Sequence, residues 1–331
     1  MTRIGMISFE HMHALSYAQS LVQIPNVELV GIYDDDFYRG STLSSELNTR
    51  YFDDVDALLA SNLDGVIICT NNKDHEPMVI KASEYKVPSL VEKPFAVSLE
   101  AAENMISVAK QHGVFVMNAL PMRFNPSIMN GKEVIDSGAI GEIVSIVSQN
   151  HGKIPDGWFL DKEKAGGGAM IDHTVHLADI IRWYTGSEFK TVYCESGELL
   201  HNKGVEDTGI VFTELENGVL ATIDFSWAHH KNYPIWPQVD LEIIGTKGVL
   251  NIKGFAQKHH VVNPLTDSVT FDLFGESGDE GLVKAFVEAC RNKEGIHPND
   301  IDGIRSTELA IAAYESSASH EVVKVERYEK A

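Results

Sequence analysis

The sequence predicts an α/β protein of two domains: a doubly wound parallel sheet at the N-terminus, then an α+β domain with a largely antiparallel sheet. Three observations carry this. Apolar strand-like runs alternate with helically spaced segments through the first third of the chain, as in βαβ units, because a parallel neighbour needs a crossover connection. Beyond about residue 123 the apolar period becomes two, with Asn-Gly and Lys-Gly turns between runs, as in antiparallel hairpins. The chain has 331 residues, about two domains at roughly 150 residues each. The expected domains are 1–122 and 123–331.

Residues 3–7 read as the first buried strand and 14–22 as a helix; Pro25-Asn26 turns the chain into a second strand at 27–33, rich in branched apolar residues. Three further units follow: a short helix at 55–60 before a strand at 65–69, a helix at 75–85 before 87–91, and a helix at 99–112 before 114–117. In the second domain, helices are predicted at 130–137 and 170–184, and strands at 142–150, 191–197, 208–215, 218–227, 238–244 and 248–252. Segments 281–290 and 306–316 have helical spacing and are expected on the outside of that sheet.

Composition excludes several roles. Apolar residues are 44% and charged residues 23%, close to the globular average, which excludes disorder and fibrous repeats. A net charge of −21 repels phosphate backbones and anionic lipid, so neither a nucleic acid nor a membrane is an expected partner. Cys69, Cys194 and Cys290 are odd in number and widely spaced, which supports neither a disulfide framework nor a zinc knuckle. No signal-like or membrane-length apolar run interrupts the sequence, and a cytoplasmic protein is expected.

A strand, tight turn and helix at the start of such a sheet is where a Rossmann domain holds a dinucleotide pyrophosphate, over backbone N–H groups. The glycine fingerprint G-x-G-x-x-G is replaced here by Ser8, Glu10 and His13. Two unit charges about 4 Å apart cost about 1 kcal/mol in water and about 4 at an effective dielectric near 20. A Glu10 carboxylate facing the phosphates therefore weakens binding roughly ten- to a thousand-fold, and turned away it costs little. His11 and His13 either offset that charge when protonated or simply pack the helix start. The second strand ends in Asp34-Asp35-Asp36, where an acidic residue binds the adenosine ribose and disfavours a 2′-phosphate. Asp34 is the candidate, with Asp35 and Asp36 solvated and Arg39 a surface charge. NAD is expected over NADP, with a contact set of Ser8, Phe9, Glu10, His11, Asp34, Thr70, Asn71, His75, Glu92 and Lys93.

Glu92-Lys93-Pro94 puts a lysine at the carboxyl end of a parallel strand, the edge where open α/β sheets bind ligands. Later, a flexible loop of Gly166, Gly167 and Gly168 opens a helix on which Asp172 and His176 stand four apart, on one face. A histidine with pKa near 6.5 accepts a hydroxyl proton at neutral pH, and a carboxylate one turn away orients it or holds substrate. Two ligands at this spacing with no clear third do not make a metal site, so no metal is expected. His229-His230 and His259-His260 are adjacent pairs whose members point to opposite strand faces, and read as loop or strand-surface residues. Trp158, Trp227, Tyr233 and Trp236 line a binding pocket or pack in the core.

These motifs, with Asp179 and Trp183 on the same helix, Gly245-Thr246-Lys247-Gly248 between two strands and Arg123-Phe124-x-Pro126 at the domain boundary, resemble the glucose-fructose oxidoreductase, inositol dehydrogenase and MocA (Gfo/Idh/MocA) family over nearly the whole chain. The resemblance implies an N-terminal Rossmann domain and a C-terminal domain whose open sheet mediates oligomer contacts, giving a homodimer or homotetramer. It departs from the family at Ser8, Glu10 and His13. It further implies that Lys93 bonds the reacting hydroxyl and nicotinamide ribose, that His176 is the general acid/base, and that Asp172 positions substrate or histidine. Arg123 and Trp158 join Asp172 and His176 on the substrate side. The expected activity is hydride transfer between NAD and a secondary hydroxyl or ketone of a sugar, cyclitol or related polyol. The alternatives are an enzyme that keeps and recycles its NAD during isomerisation, elimination or glycoside cleavage, and a non-catalytic descendant.

Overall fold

The alternation in the first third folds as β1 (Thr2–Ile7), α1 (Ala14–Gln23), β2 (Val27–Tyr33), α2 (Phe37–Glu46), β3 (Arg50–Phe52), α3 (Val55–Leu59), β4 (Gly65–Ile68), α4 (His75–Glu84), β5 (Ser89–Glu92), α5 (Leu99–His112) and β6 (Val116–Ala119). The structure is a computed structural model that describes residues 1–328 apart from 264, 267 and 276. The six strands are ordered β3-β2-β1-β4-β5-β6, every neighbour parallel. Strands β4, β5 and β6 are buried along their whole length, as a parallel sheet covered on both faces requires. Strand order reverses between β1 and β4, so their carboxyl ends mark the ligand-binding edge. Helix α5 starts where the Ser98 side chain accepts from Ala101 N–H and stops at Gly113, left-handed at φ 70°.

Helix α2 and the short β3 occupy a stretch in which no element was predicted. Only Gly40 and Ser44 of α2 are buried, so it carries no apolar stripe for periodicity to detect. It forms because the Asp36 side chain accepts from the N–H groups of Tyr38 and Arg39, a side-chain N-cap.

The chain continues with α6 (Pro126–Asp136), β7 (Ile143–Lys153), α7 (Lys162–Ala165), α8 (Ala169–Thr185), β8 (Phe189–Gly197), β9 (Thr208–Leu215), β10 (Leu220–His229), β11 (Gln238–Gly245), β12 (Val249–Lys253), a hairpin of β13 (Lys258–Asn263) and β14 (Ser268–Leu273), α9 (Gly278–Asn292), α10 (Asp300–Ser319) and β15 (Val323–Lys324). The second sheet has the order β12-β11-β7-β10-β9-β8-β15. It is largely antiparallel, with one parallel pair, β7 and β10. That pair is possible because α8 intervenes in sequence and packs on both strands, as a crossover does. Almost all of α8 is buried, with Leu177, Ile180 and Ile181 in one core with Ile223 and Phe225. Each such side chain contributes about 1.5–3 kcal/mol.

Two units are delimited by this folding: Met1–Pro121 with Lys164–Gly166 and Gly278–Thr307, and Met122–Glu163 with Gly167–Ser277 and the chain from Glu308. Helix α9 was expected on the second sheet, but it lies in the first unit against α1 and β1. Its apolar face, Leu282, Val283, Phe286 and Val287, is buried there, and a Cβ on Gly65 would sit 2.8 Å from the Phe286 ring and 2.5 Å from Cys290 Sγ. Helical spacing defines such a face but not the surface that receives it. No helix among the described residues is long and apolar enough to cross a membrane.

Candidate active site

In the first unit the predicted cofactor residues gather along the carboxyl edge of the sheet. Ser8, at the first fingerprint position, takes the left-handed conformation glycine would take, φ 67°. Its N–H donates to Tyr33 O at 2.7 Å and its Oγ accepts from Glu10 N–H at 3.2 Å. Glu10 does not extend over the turn: its Oε2 accepts from the Asn71 backbone N–H at 2.9 Å and from Asn71 Nδ2 at 3.0 Å. The carboxylate is thus held at the end of β4, and Asn71 in turn donates to Asp74 at 2.6 Å. Thr70 is buried beside it, and the buried His75 faces Pro94 O through Nδ1 at 2.9 Å. Burial lowers the His75 pKa.

Asp34 is fully shielded and accepts four bonds: from Phe9 N–H and Asp36 N–H at 2.8 and 2.9 Å, and from Arg39 Nε and Nη2 at 2.8 and 2.7 Å. Arg39, read from the sequence as a surface charge, is instead a bidentate partner of the Asp34 carboxylate. Asp35 remains exposed and pairs with the same guanidinium. Asp36, expected to be solvated, caps α2.

Glu92 is wholly buried, with Oε1 3.4 Å from His13 Nδ1, 4.0 Å from His11 Nε2 and accepting from Lys93 N–H at 3.0 Å. Burial pushes its carboxyl up, but the two imidazoles and Lys93 outweigh that and hold it well below the usual range. His13 responds oppositely: burial opposes its charge, yet Glu92 carries its pKa upward. Lys93 is itself buried at the strand end, where Asn118 Nδ2 donates to Val91 O at 3.0 Å and Glu92 O at 3.3 Å.

In the second unit α8 carries Asp172 and His176 one turn apart. Its start is fixed by Glu206, which the sequence reading did not single out. Glu206 Oε1 accepts from Gly168 N–H at 2.7 Å, Met170 N–H at 3.2 Å and Tyr314 Oη at 2.6 Å. The glycines read as a flexible loop are in close contact: a Cβ on Gly167 would meet Tyr314 Oη at 1.8 Å, and one on Gly168 would meet Glu206 O at 2.1 Å. Nothing near Gly168 in sequence signals a partner 38 residues away.

Asp172 Oδ2 accepts from Trp227 Nε1 at 3.1 Å and lies 3.3 Å from His173 Nε2. His173 Nδ1 is 2.9 Å from Asn150 O, so this histidine is held in place beside the Asp172 carboxylate. Arg123 Nε and Nη2 bond Asp179 at 2.6 and 2.5 Å, and its guanidinium lies 5.6 Å from the Trp183 ring. Three motif residues thus form one anchor, with Arg123 and Asp179 buried and Trp183 partly so. Trp158 stacks on Phe159 at 3.9 Å. His229, expected at the surface, is buried, stacks on Tyr233 at 3.8 Å and faces Trp236 O and Gln238 Oε1; His259 and His260 are exposed.

Comparison with known proteins decides the kinship. Residues 3–120 match the oxidoreductase family with an NAD-binding Rossmann fold, and residues 128–251 match the GFO/IDH/MocA C-terminal domain. The chain belongs to the GFO/IDH/MocA oxidoreductase family. Among its relatives, the scyllo-inositol 2-dehydrogenase (NAD(+)) of Bacillus subtilis (strain 168) is 28% identical over 329 residues, 95% of this chain and 92% of the relative. The 2,7-anhydro-N-acetylneuraminate hydratase of Escherichia coli (strain K12) is 32% identical over 236 residues, 69% of this chain and 61% of the relative. The crystal structure of GenD2 from gentamicin A biosynthesis in complex with NAD superposes with a TM-score of 0.89 at 25% identity, covering 98% of this chain and 97% of that one.

The first unit fits the dinucleotide its family binds. Ser8 preserves the turn, Glu10 is drawn off it by Asn71, and Asp34 and Lys93 stand at the ends of their strands.

Proposed function

We propose that this GFO/IDH/MocA oxidoreductase interconverts a secondary hydroxyl and the matching ketone of a cyclitol, sugar or related polyol, with Lys93, Asp172 and His176 as the reacting groups. The observation that carries the reading is an acid–imidazole pair, the partly buried Asp172 and the buried His176, one turn apart on a largely buried helix whose start is capped by Glu206. A bound nicotinamide supplies the hydride acceptor or donor. Lys93 stabilises the substrate oxygen as its charge changes, and His176 takes or returns the hydroxyl proton, a role that typically contributes about 10² to 10⁴ in rate. Trp227 and His173 hold one oxygen of Asp172, which orients that carboxylate toward substrate. Ser8, Phe9, Glu10, His11, Asp34, Thr70, Asn71, His75, Glu92 and Lys93 form the cofactor side, and Arg123 acts through Asp179 rather than on substrate.

A polyol or sugar is the small-molecule partner. Phe212, Thr222 and Val147 align in register across β9, β10 and β7, and Phe212 and Val147 are exposed. An apolar row of this kind on an outer sheet face supports a homo-oligomer. Three free, buried cysteines accord with a reducing cytoplasm.

The test is turnover of NAD⁺ with inositols and related polyols. Lys93→Met and His176→Ala are each expected to lose at least about a hundredfold in kcat with the circular dichroism unchanged; near-full activity in either variant overturns the assignment. The 32% identity to a hydratase favours one second reading, in which NAD is reduced and reoxidised within a single turnover. Substrate consumed without net NADH release would identify it.

A further inference from the structure

His11 and His13 lie on the turn from β1 to α1, and Glu92 ends β5, so two segments distant in sequence converge at one sheet edge. His13 Nδ1 is 3.4 Å and His11 Nε2 4.0 Å from Glu92 Oε1, and the three atoms lie within 4.8 Å of one another. The His11 and Glu92 side chains are shielded, at 1% and 0% exposure, while His13 is 29% exposed and leaves the cluster a way in from solvent. Glu92 Oε2 is buried and finds no hydrogen-bond donor among the described residues. A buried carboxylate oxygen in that state is costly, and a cation is what relieves it.

We propose that His11, His13 and Glu92 form a binding site for a divalent transition-metal ion of zinc-like character. Two imidazoles and a carboxylate suit zinc, cobalt or nickel, whereas magnesium and calcium take oxygen ligands. At metal–ligand lengths of about 2.0–2.2 Å a tetrahedral set spaces its atoms roughly 3.4 Å apart. The His13–Glu92 separation of 3.4 Å already has that value; His11 Nε2, at 4.0 Å, has to close by about half an ångström on Glu92 Oε1, and all three atoms start within 4.8 Å of one another. Three protein ligands leave a fourth position for solvent or an anionic ligand.

Coordination requires both imidazoles neutral, so a proton carried by either histidine leaves as the ion enters. His11 Nδ1 now accepts from His13 N–H at 3.2 Å, at the long end of the hydrogen-bond range. Binding through Nε2 places a proton on Nδ1 and gives up that contact. Two further charges face the cluster: Asp279, at the start of α9, favours a cation there and Lys93 opposes one.

The inference goes beyond the proposed activity and involves residues of the first unit alone, so it is tested without nucleotide or substrate. The full chain, stripped with a chelator, is titrated with Zn²⁺ by calorimetry and with Co²⁺ by visible absorption. The expected result is one ion per chain, proton release on binding, and a Co²⁺ spectrum of low coordination number with nitrogen and oxygen ligands. His11→Ala, His13→Ala and Glu92→Gln are each expected to weaken binding at least about tenfold, because each removes one of three ligands. Zn²⁺ affinity unchanged in all three variants would assign the ion to surface histidines and overturn the proposal. So would an octahedral, water-like Co²⁺ spectrum in the unaltered protein, a readout that stands whether or not the variants fold.

Discussion

Two tight turns stand at the candidate sites of this protein, and glycine matters to them in opposite ways. At the β1–α1 turn the fingerprint glycines are gone and the shape survives: Ser8 sits at φ 67° and its hydroxyl accepts from Glu10 N–H. The charge that replaces the second glycine is absorbed by Asn71. At the start of α8 the glycines are present, and their role is steric, because Tyr314 and Glu206 occupy the space a side chain would need. Glycine used for backbone freedom can be replaced when neighbours supply compensating bonds. Glycine used for clearance against a backbone carbonyl cannot.

The largest effect that would break this contrast belongs to Gly168→Ala. Its Cβ would lie 2.1 Å from the carbonyl oxygen of Glu206, which cannot swing aside as a flexible side chain would. Overpacking of this kind costs about 1–3 kcal/mol, enough to lower the melting temperature by several degrees, and here it also disturbs the cap that orients Asp172 and His176. Ser8→Gly, in the other turn, relieves the left-handed strain and loses one hydrogen bond. Its net effect is expected to stay under about 1 kcal/mol. Parallel thermal melts of the two variants measure the difference, and equal destabilisation would refute it.

The same contrast explains what was legible in the sequence. Apart from α2 and β3, the order of strands and helices from β1 to β6 could be read because a doubly covered parallel sheet needs continuous apolar runs. The strand end before Lys93 and the one-turn spacing of Asp172 and His176 could be read because both are local features of the chain. Illegible were the partners that reach those residues from far along the chain. Glu206 caps α8 from a distant segment, Tyr314 donates to Glu206 from another, and Trp227 reaches Asp172 from β10. Helix α9 announced an apolar face and left its destination open. Arg39 lay in plain view, five residues past Asp34, but only the folded turn brings its fork onto that carboxylate.

Arg39 gives the next prediction in size. With four donors on Asp34, a ribose diol reaches the carboxylate only by displacing the guanidinium. Arg39→Ala removes that competitor, and it also removes a guanidinium held on Asp34 that could pair with a 2′-phosphate. NADH is expected to bind about tenfold tighter, the equivalent of about 1.4 kcal/mol, and NADPH to bind more weakly, both read by nicotinamide fluorescence titration. A variant that weakens both nucleotides equally would show that Arg39 merely stabilises the loop.

Glu10→Gln tests the smallest and most discriminating difference. If the carboxylate faced the pyrophosphate, neutralising it would tighten dinucleotide binding by one to three orders of magnitude, since like charges about 4 Å apart cost about 1–4 kcal/mol between water and an effective dielectric near 20. The carboxylate instead accepts from Asn71 through two bonds and lies toward the end of β4. Glutamine keeps an acceptor for the Asn71 N–H, so the turn should persist and NADH affinity should rise by less than about tenfold. A gain of a hundredfold or more would mean that nucleotide binding pulls Glu10 off Asn71 and over the phosphates. The tolerance of this turn for a missing glycine would then come from the His11 and His13 imidazoles alone, and not from the bridge to β4.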